Sequence, residues 1–303
     1  MKLTFYRGPE PNFGDELNAF MWDKLLPSGF LDGDSDELFI GIGSIIWDCY
    51  PVQAKKHVIG SGYGGYTSAP DVKDGTWQVA WVRGPLTAEK LGLDASLAIT
   101  DAAVLLRAID LPAPSLQSGP AFMPHFDSVA RGNWQQVCEM AGITYLDPRA
   151  DPMDLIAKIR GASVLVTEAM HGAIVADALR TPFIPVTPTH PSHRYKWEDW
   201  ARSVELDLKP VDAMSSSLLE SYTSMTGLEG KGARSRALFK SRMLSPIDKF
   251  VMNRTAAKLG QIAAHAEPHL SDDAVITRVT ERSQEALDRF VQSHRGMDHQ
   301  NSQ

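Results

Sequence analysis

The sequence predicts an α/β protein of two domains that face a cleft, followed by a helical C-terminal extension. Short runs rich in β-branched and aromatic residues alternate with helical patterns, which is typical of βαβ units around a parallel sheet. The alternation restarts after a Pro-, Ser- and Gly-rich stretch at 111–119, where we place a domain boundary. The 303 residues suffice for two hydrophobic cores, because a single core stops growing efficiently near ~250–300 residues.

The first predicted domain, 1–115, contains strand candidates separated by helical patterns. Strands are predicted at Leu3–Tyr6, Leu38–Gly43, Lys56–Gly62, Gln78–Arg83 and Leu97–Thr100. One helix is predicted at Asp15–Leu25. Another begins at Pro85, because the N–H groups of the first helical turn have no intrahelical partner and a proline is tolerated there. Thr100 and Asp101 lie at the end of the last predicted strand, a place where ligands bind, and are equally typical of an N-cap for the helix after it.

The second predicted domain, 116–214, repeats the pattern. Its strands are predicted at Ala121–Pro124, Ile143–Leu146, Ser163–Thr167 and Phe183–Val186, and its helices at Asn133–Ala141, Pro152–Arg160 and His171–Leu179. A helical extension at 215–295 and a disordered polar tail at 296–303 follow. The basic and apolar segment Phe239–Ile262 is expected either to dock on the first domain or to lie on an anionic membrane surface.

Composition and charge exclude several classes of protein. Thirty Lys and Arg against 37 Asp and Glu give a net charge of −7, which disfavours nucleic acid as a partner. Cys49 and Cys138 lie far apart without metal-ligand spacing, so we expect two reduced, packed thiols. Without a signal-peptide pattern or an apolar run of ~18 residues, we expect a cytoplasmic protein, with peripheral contact at the inner membrane face as a hypothesis for the basic segment.

Polar residues and glycines follow the predicted strands of the first domain. They form the segment Asn12–Asn18, the loops Gly41–Ser44 and Gly60–Gly65, and Arg83 at the end of a strand. Glycine loops let backbone N–H groups approach a phosphate or sugar, although these fall short of a Walker or full Rossmann fingerprint and are equally typical of tight βα turns. An Arg at the carboxyl end of a parallel strand can bind a carboxylate or phosphate through paired hydrogen bonds.

Histidines and a glutamate mark the second domain. In Thr167–Ala173, Glu168 ends a strand and His171 begins a helix, where a cationic ring is unfavourable, so we predict a chemical role for this histidine. His125 starts the domain on the side of the predicted cleft. A later loop and helix start carry residues suited to a sugar or pyrophosphate, namely His193, Lys196 and Trp197, with His190 before them. Metal ligation by the two histidines lacks a third ligand, so no metal is predicted there.

Taken in order, five segments resemble the polysaccharide pyruvyl transferase family, particularly its members of exopolysaccharide synthesis of the succinoglycan type. These segments are Asn12–Asn18, the two glycine loops, Arg83–Glu89, Thr100–Leu106 and His171–Pro185. The resemblance spans about residues 1–205. It implies two Rossmann-like domains in a GT-B-like arrangement, with phosphoenolpyruvate bound in the cleft and a pyruvyl ketal formed on two hydroxyls of one sugar. Ala169 departs from the family, because many members have an arginine there.

The residues and the resemblance together assign roles. His171, with Asp15 or Glu168, is expected to move protons. The donor phosphoenolpyruvate is expected to contact Arg83, Gly43, Ser44, Gly62 and His125. The acceptor, an oligosaccharide that we expect to be lipid-linked, is expected to contact Asn12, His193, Lys196 and Trp197. No cofactor or metal is required by this chemistry.

Two other functions are compatible with the same residues. A GT-B-type glycosyltransferase that uses a nucleotide sugar needs a similar cleft, glycine loops and a histidine near phosphate. A non-catalytic sugar-phosphate binding protein is suggested by Ala169, whereas the presence of both Arg83 and His171 favours an enzyme.

Overall fold

The computed structural model describes residues 1–115, 118–187, 193–226, 239 and 245–300. The chain divides into two compact units. Unit 1 consists of Met1–Leu111, Tyr195–Asp207 and Ser271–Gln303, and unit 2 consists of Pro112–Arg194 and Leu208–Leu270. Each unit has a parallel sheet with helices, which confirms the predicted α/β class. The GT-B-like arrangement and its cleft stay predictions.

In the described part of unit 1, four parallel strands lie in chain order. They are β1 (Lys2–Thr4), β2 (Glu37–Ile40), β3 (Lys55–Ile59) and β4 (Trp77–Trp81). Ile40 of β2 and Val58 of β3 are partners in the register, and both are fully buried. Apolar strands of this kind are typical of a parallel sheet that is covered on both faces. The predicted helix at 15–25 is two helices, α1 (Phe13–Glu16) and α2 (Asn18–Leu25), and the helix predicted from Pro85 is α3 (Pro85–Leu91).

The predicted strand at Leu97–Thr100 is wrong. Asp94 accepts a hydrogen bond from the N–H of Ser96 (2.8 Å) and so begins a 3-10 helix at Ala95–Leu97. Only Ala98 then forms a single parallel bridge, to Val82. The predicted cap at Asp101 is confirmed, because its carboxylate accepts from the N–H of Ala103 (3.0 Å) at the start of a 3-10 helix, Ala102–Ala108.

The sheet of unit 2 has the strand order β6-β5-β7-β8, all parallel. These strands are β5 (Ala121–Met123), β6 (Thr144–Tyr145), β7 (Leu165–Thr167) and β8 (Phe183–Pro185), and each lies within a predicted strand. The accompanying helices are α4 (Phe126–Arg131), α5 (Trp134–Ala141), α6 (Pro152–Gly161) and α7 (Met170–Ala178). Both cysteines are free, and Cys138 is buried as expected, whereas Cys49 is exposed.

The later helices are divided between the units. They are α8 (His193–Ser203), α9 (Leu218–Thr226), α10 (Ser245–His265) and α11 (Asp273–Gln300). Ala256, Leu259 and Ile262 of α10 pack into the core of unit 2, so docking of this segment on the first domain is wrong. Lys240 and Arg242 of the basic segment lie outside the described residues, and the membrane hypothesis stays a prediction. Among the described residues, no helix has the length and apolar character needed to cross a membrane.

Helix α11 belongs to unit 1 and continues through the first part of the segment predicted as a tail, while 301–303 lie outside the described residues. Phe290 of this helix packs at a steep angle against Phe39 of β2 and His57 of β3, with ring centroids 6.1 and 5.4 Å away. His57 is 2% exposed. Burial lowers the pKa of His57 below its ordinary value. The helix therefore covers one face of the sheet with aromatic contacts.

Helix α8 is held in unit 1 by the buried carboxylate of Asp199. Its Oδ2 accepts from Arg83 Nε (3.1 Å) and from Thr87 Oγ1 (2.6 Å), and its Oδ1 accepts from Thr87 N (2.9 Å). A Cβ on Gly84 would lie 2.1 Å from the carbonyl oxygen of Asp199, so this contact requires a glycine. Asp199 therefore joins α8 to the end of β4 and the first turn of α3.

Replacing Asp199 by Asn should lower the free energy of unfolding by about 3–5 kcal/mol, because the Arg83 guanidinium would remain buried without its counter-charge. Glu198→Gln is the matched control, since it removes an exposed pair with Arg202 on the same helix that is worth about 0.5 kcal/mol. Urea unfolding followed by circular dichroism measures both. Equal losses in the two variants would contradict the structural role of the buried pair.

Candidate active site

In unit 1, Asn18 fixes the first glycine loop to the helix after β1. Its Oδ1 accepts from the N–H of Ile42 (2.8 Å) and from Trp22 Nε1 (2.9 Å), and its Nδ2 donates to the carbonyl oxygens of Ile42 and Asp15 (3.0 Å each). A Cβ on Gly41 would lie 2.3 Å from Asn18 Oδ1. The sequence motif contained Asn18, but its positioning role depends on a partner 24 residues away and was missed.

The loops after β1, β2 and β3 meet around Gly43. Its carbonyl oxygen accepts from the N–H of Gly62 (2.9 Å) and from Ser61 Oγ (2.9 Å), and its φ of 133° favours glycine. A Cβ on Gly43 would lie 3.4 Å from Asp15 Oδ1. The other carboxylate oxygen of Asp15, Oδ2, accepts a hydrogen bond from Asn12 Nδ2 (2.7 Å). The structure therefore brings the predicted residues Asn12, Asp15, Gly43 and Gly62 to one edge of the sheet.

Arg83 has no exposed surface, and its three nitrogen atoms all bind protein groups. Nε pairs with Asp199, Nη1 donates to Ser44 Oγ (2.6 Å), and Nη2 donates to the carbonyl oxygen of Tyr63 (3.2 Å). A Cβ on Gly62 would lie 2.1 Å from Arg83 Cζ, so the guanidinium lies directly against this glycine. Arg83 therefore positions Ser44 and supports the loop from behind, and its direct contact with a donor stays a prediction.

Two of the predicted acceptor residues lie in the part of α8 that belongs to unit 1. Lys196 Nζ donates to the hydroxyl of Tyr66 (3.1 Å), and the Tyr66 ring is half exposed. Trp197 is buried and packs edge-on against Trp200, with ring centroids 6.5 Å apart. Lys196 is thus near the surface of unit 1, whereas Trp197 belongs to its interior.

In unit 2, Glu168 and His171 stand at the junction of β7 and α7. The carbonyl oxygen of Met123 accepts from the N–H of Glu168 and from Thr167 Oγ1, both at 3.0 Å. A Cβ on Gly172 would lie 2.7 Å from Thr167 Oγ1, so a glycine lets α7 approach the strand ends closely. Glu168 is 4% exposed, and His171 is half-buried in the first turn of the helix. Backbone contacts thereby hold both predicted catalytic residues.

Two predicted histidines meet beside Glu168. Glu168 Oε2 accepts from the N–H of His125 (3.0 Å). Nδ1 of His125 accepts from the N–H of Asp127 (3.3 Å) at the start of α4, which leaves the proton of a neutral ring on Nε2. The ring of His193 lies 4.5 Å from that of His125, between centroids. Unit 2 therefore gathers a carboxylate and two imidazoles from three separate segments.

A second glutamate, Glu220 of α9, was missed by the sequence analysis. Its Oε1 accepts from Trp134 Nε1 (2.9 Å), and its Oε2 accepts from the N–H and hydroxyl of Ser216 (2.6 and 2.8 Å). Burial is the main cause that raises the pKa of Glu220 to about 7. The negative charge of Glu168 contributes to the same rise. Ser216 lies only four residues before Glu220, whereas Trp134 comes from α5, and no local pattern signals that distant contact.

Comparison with known proteins identifies what the chain is similar to. The family model described as polysaccharide pyruvyl transferase matches residues 12–190, a span that contains Arg83, Glu168 and His171 but ends before His193. The chain is also similar to the succinoglycan biosynthesis protein ExoV of Rhizobium meliloti. The two are 34% identical over an alignment 320 positions long, which covers 95% of this chain and 98% of the relative.

The raised pKa of Glu220 predicts a pH dependence of stability. The folded state holds this proton up to about pH 7, whereas the unfolded chain releases it near 4.5, so stability should fall as pH rises between these values. A shift of this size corresponds to about 3 kcal/mol. Glu220→Gln cannot ionise and should abolish the decline, whereas the exposed control Glu139→Gln should retain it. Denaturant unfolding at pH 5, 6, 7 and 8 measures this. Parallel pH profiles for the wild type and Glu220→Gln would contradict it.

Proposed function

Because the chain belongs to the polysaccharide pyruvyl transferase family and is a transferase, we propose that it transfers a pyruvyl group from phosphoenolpyruvate to a sugar of an exopolysaccharide precursor, forming a pyruvate ketal. The name of the similar protein, which refers to succinoglycan biosynthesis, supports the exopolysaccharide acceptor. The observation that carries the proposal is the group formed by Glu168, His125 and His193 beside the half-buried His171, because ketal formation requires several proton transfers.

The reaction balances without a redox partner or a metal. Two sugar hydroxyls form two bonds to the central carbon of phosphoenolpyruvate, and the bond from that carbon to the phosphate oxygen breaks. One hydroxyl proton is transferred to the methylene carbon, which becomes a methyl group, and the other leaves with inorganic phosphate. The enzyme must therefore supply an acid for carbon, a base for the hydroxyls and positive charge for the phosphate.

We assign the proton transfers to His171 together with Glu168, and retain Asp15 as a further candidate base. His171 is suited to this because an imidazole can both accept and donate a proton, and this side chain is half-buried, with its Nε2 atom below the surface. Glu168 is oriented by the N–H of His125, so its carboxylate has one defined rotamer. Glu220 lies close enough to Glu168 for the negative charge of Glu168 to raise the pKa of Glu220.

Donor binding is proposed at the glycine loops of unit 1 and at His125. Ser44 and Gly43 present the loop that Arg83 supports, and the hydrogen bond from Arg83 Nη1 orients the Ser44 hydroxyl. Gly62 contributes by lacking a side chain, since its N–H already donates to Gly43. At position 169, where the family resemblance implies an arginine in many members, Ala169 cannot contribute positive charge to the donor site. Ala169 precedes the first turn of α7, so the positive end of the helix dipole lies at this position.

The acceptor is proposed to be a lipid-linked oligosaccharide that contacts Asn12, His193 and Lys196. Lys196 and the half-exposed Tyr66 combine a cation, a hydroxyl and an aromatic face, which suits a sugar. Trp197 is buried and therefore does not offer an exposed ring to the acceptor.

Phosphate release from phosphoenolpyruvate, measured with lipid-linked oligosaccharide from a polymer-producing cell, tests the proposed function. The product should carry a pyruvate ketal detectable by mass spectrometry. A panel of nucleotide sugars serves as the comparison, because sugar transfer from one of them without consumption of phosphoenolpyruvate would support the glycosyltransferase alternative. Binding of phosphoenolpyruvate without turnover on any acceptor would support the non-catalytic alternative.

His171→Asn should reduce kcat by roughly 10²–10⁴-fold with a much smaller change in phosphoenolpyruvate affinity, because a proton-transfer group acts mainly in the transition state. His265→Asn, an exposed histidine of α10, is the matched control and should retain activity. Steady-state rates beside calorimetric donor titration measure both effects, after thermal melting establishes that each variant folds. Near wild-type turnover in His171→Asn would refute the assignment and make His125 the next candidate.

Arg83→Lys should raise the KM for phosphoenolpyruvate by about tenfold, because a lysine keeps the charge next to Asp199 but cannot also hold Ser44. Ser44→Ala should reproduce most of this increase while leaving the buried ion pair intact. Arg202→Lys, at an exposed position of α8, is the control. Unchanged donor KM in both Arg83→Lys and Ser44→Ala would show that this loop does not bind the donor.

A further inference from the structure

Three potential metal ligands of unit 1 meet far from the glycine loops along the strands. Glu37 is the first residue of β2, whereas the loop with Gly43 follows its last residue. Glu37, His57 of β3 and His294 of α11 each offer one ligand atom, and these atoms all lie within 4.8 Å of one another. His57 pairs with Phe39 in the register, so its side chain and that of Glu37, two residues before Phe39, share one face of the sheet.

Both imidazole rings are oriented by their Nδ1 atoms. Nδ1 of His294 lies 2.9 Å from the carbonyl oxygen of Phe290, which can only accept, so Nδ1 carries the proton. Nδ1 of His57 lies 3.1 Å from Gln78 Oε1, which is likewise an acceptor. The two Nε2 atoms therefore bear lone pairs. This arrangement, with an outer acceptor that fixes each ring, is the one that metal-binding histidines usually have.

The two Nε2 atoms are not compensated by hydrogen bonds. Each is buried, and neither has a hydrogen-bond partner among the described residues. Nε2 of His57 instead faces Glu37 Oε2 at 3.3 Å, so a lone pair points toward a carboxylate. Lys55 Nζ binds the other oxygen of Glu37 (2.9 Å). Buried polar atoms without a hydrogen bond destabilise the folded state. A cation bound by their lone pairs would compensate for this loss.

We propose that Glu37, His57 and His294 bind one divalent transition-metal ion, with Zn²⁺ as the best fit, through the carboxylate Oε2 and the two Nε2 atoms. Two ligands bound at about 2.0–2.1 Å to a tetrahedral zinc lie about 3.3–3.4 Å apart, which matches the observed 3.3 Å between His57 and Glu37. The imidazole nitrogens disfavour Ca²⁺ and Mg²⁺, which prefer oxygen ligands. Three protein ligands leave a fourth position for water.

The site would connect α11 to β2 and β3. His294 lies beyond residues 12–190, which the family model matches, so the ion would fasten a later helix onto the sheet that carries the glycine loops. The aromatic contacts of Phe290 already align this helix, since its ring also lies 4.3 Å from that of His294. The role is therefore structural, and it is separate from the proposed pyruvyl transfer.

Calorimetric titration of the metal-free, full-length protein with ZnCl₂ tests the proposal. We expect one tight site per chain and a rise in Tm with Zn²⁺ concentration, because an ion that binds only the folded state stabilises it. Glu37→Gln should weaken binding by at least tenfold and His294→Gln by about a hundredfold or more. His265→Gln, which changes an exposed histidine of α10, is the matched control and should bind as the wild type does.

Cobalt provides a second readout that distinguishes this site from weak surface binding. Co²⁺ bound by two imidazoles and a carboxylate should give visible absorption that Zn²⁺ displaces and Glu37→Gln diminishes. Circular dichroism shows whether each variant folds, and Glu37→Gln preserves side-chain shape if His294→Gln does not fold. Zn²⁺ affinity equal in wild type, Glu37→Gln and His265→Gln, or no Zn²⁺-dependent rise in Tm, would overturn the proposal whether or not the enzyme transfers pyruvate.

Discussion

The buried ion pair of Arg83 and Asp199 organises unit 1. A guanidinium without exposed surface must satisfy its donors within the protein, and it does so on α8, on the loop at Ser44 and on the carbonyl oxygen of Tyr63. The same carboxylate binds the first turn of α3. Residues separated by more than a hundred positions are thereby held at one strand end, and the shape of the glycine loops depends on this pair.

Glycines occur where side chains or backbone segments need to approach each other closely. Gly62 leaves room for the Arg83 guanidinium, and Gly172 leaves room for Thr167 at the junction that carries Glu168. In both units the polar residues follow the carboxyl ends of parallel strands, which is the usual place for ligands in α/β proteins. The proposed pyruvyl transfer would use fixed loops in unit 1 and an imidazole and carboxylate group in unit 2.

Carboxyl groups in different surroundings illustrate how the environment determines the state of such a group. Glu220 is surrounded by donors but is enclosed, and burial raises its pKa to about 7. Asp199 is also enclosed, but it lies beside the Arg83 guanidinium and forms a buried ion pair with it. The proposed metal ligand Glu37 is a third case, since Lys55 binds one of its oxygens while the other faces an imidazole.

The sequence by itself determined the α/β class, the family and the positions of eight strands, because strand periodicity and the order of motifs are local properties. It also identified the segments that contain Arg83, Glu168 and His171. The division of the C-terminal helices between the units, the burial of Arg83, the environment of Glu220 and the meeting of Glu37, His57 and His294 were decided only in the tertiary structure. Each of these depends on contacts between residues far apart in the chain, and no local pattern encodes such contacts.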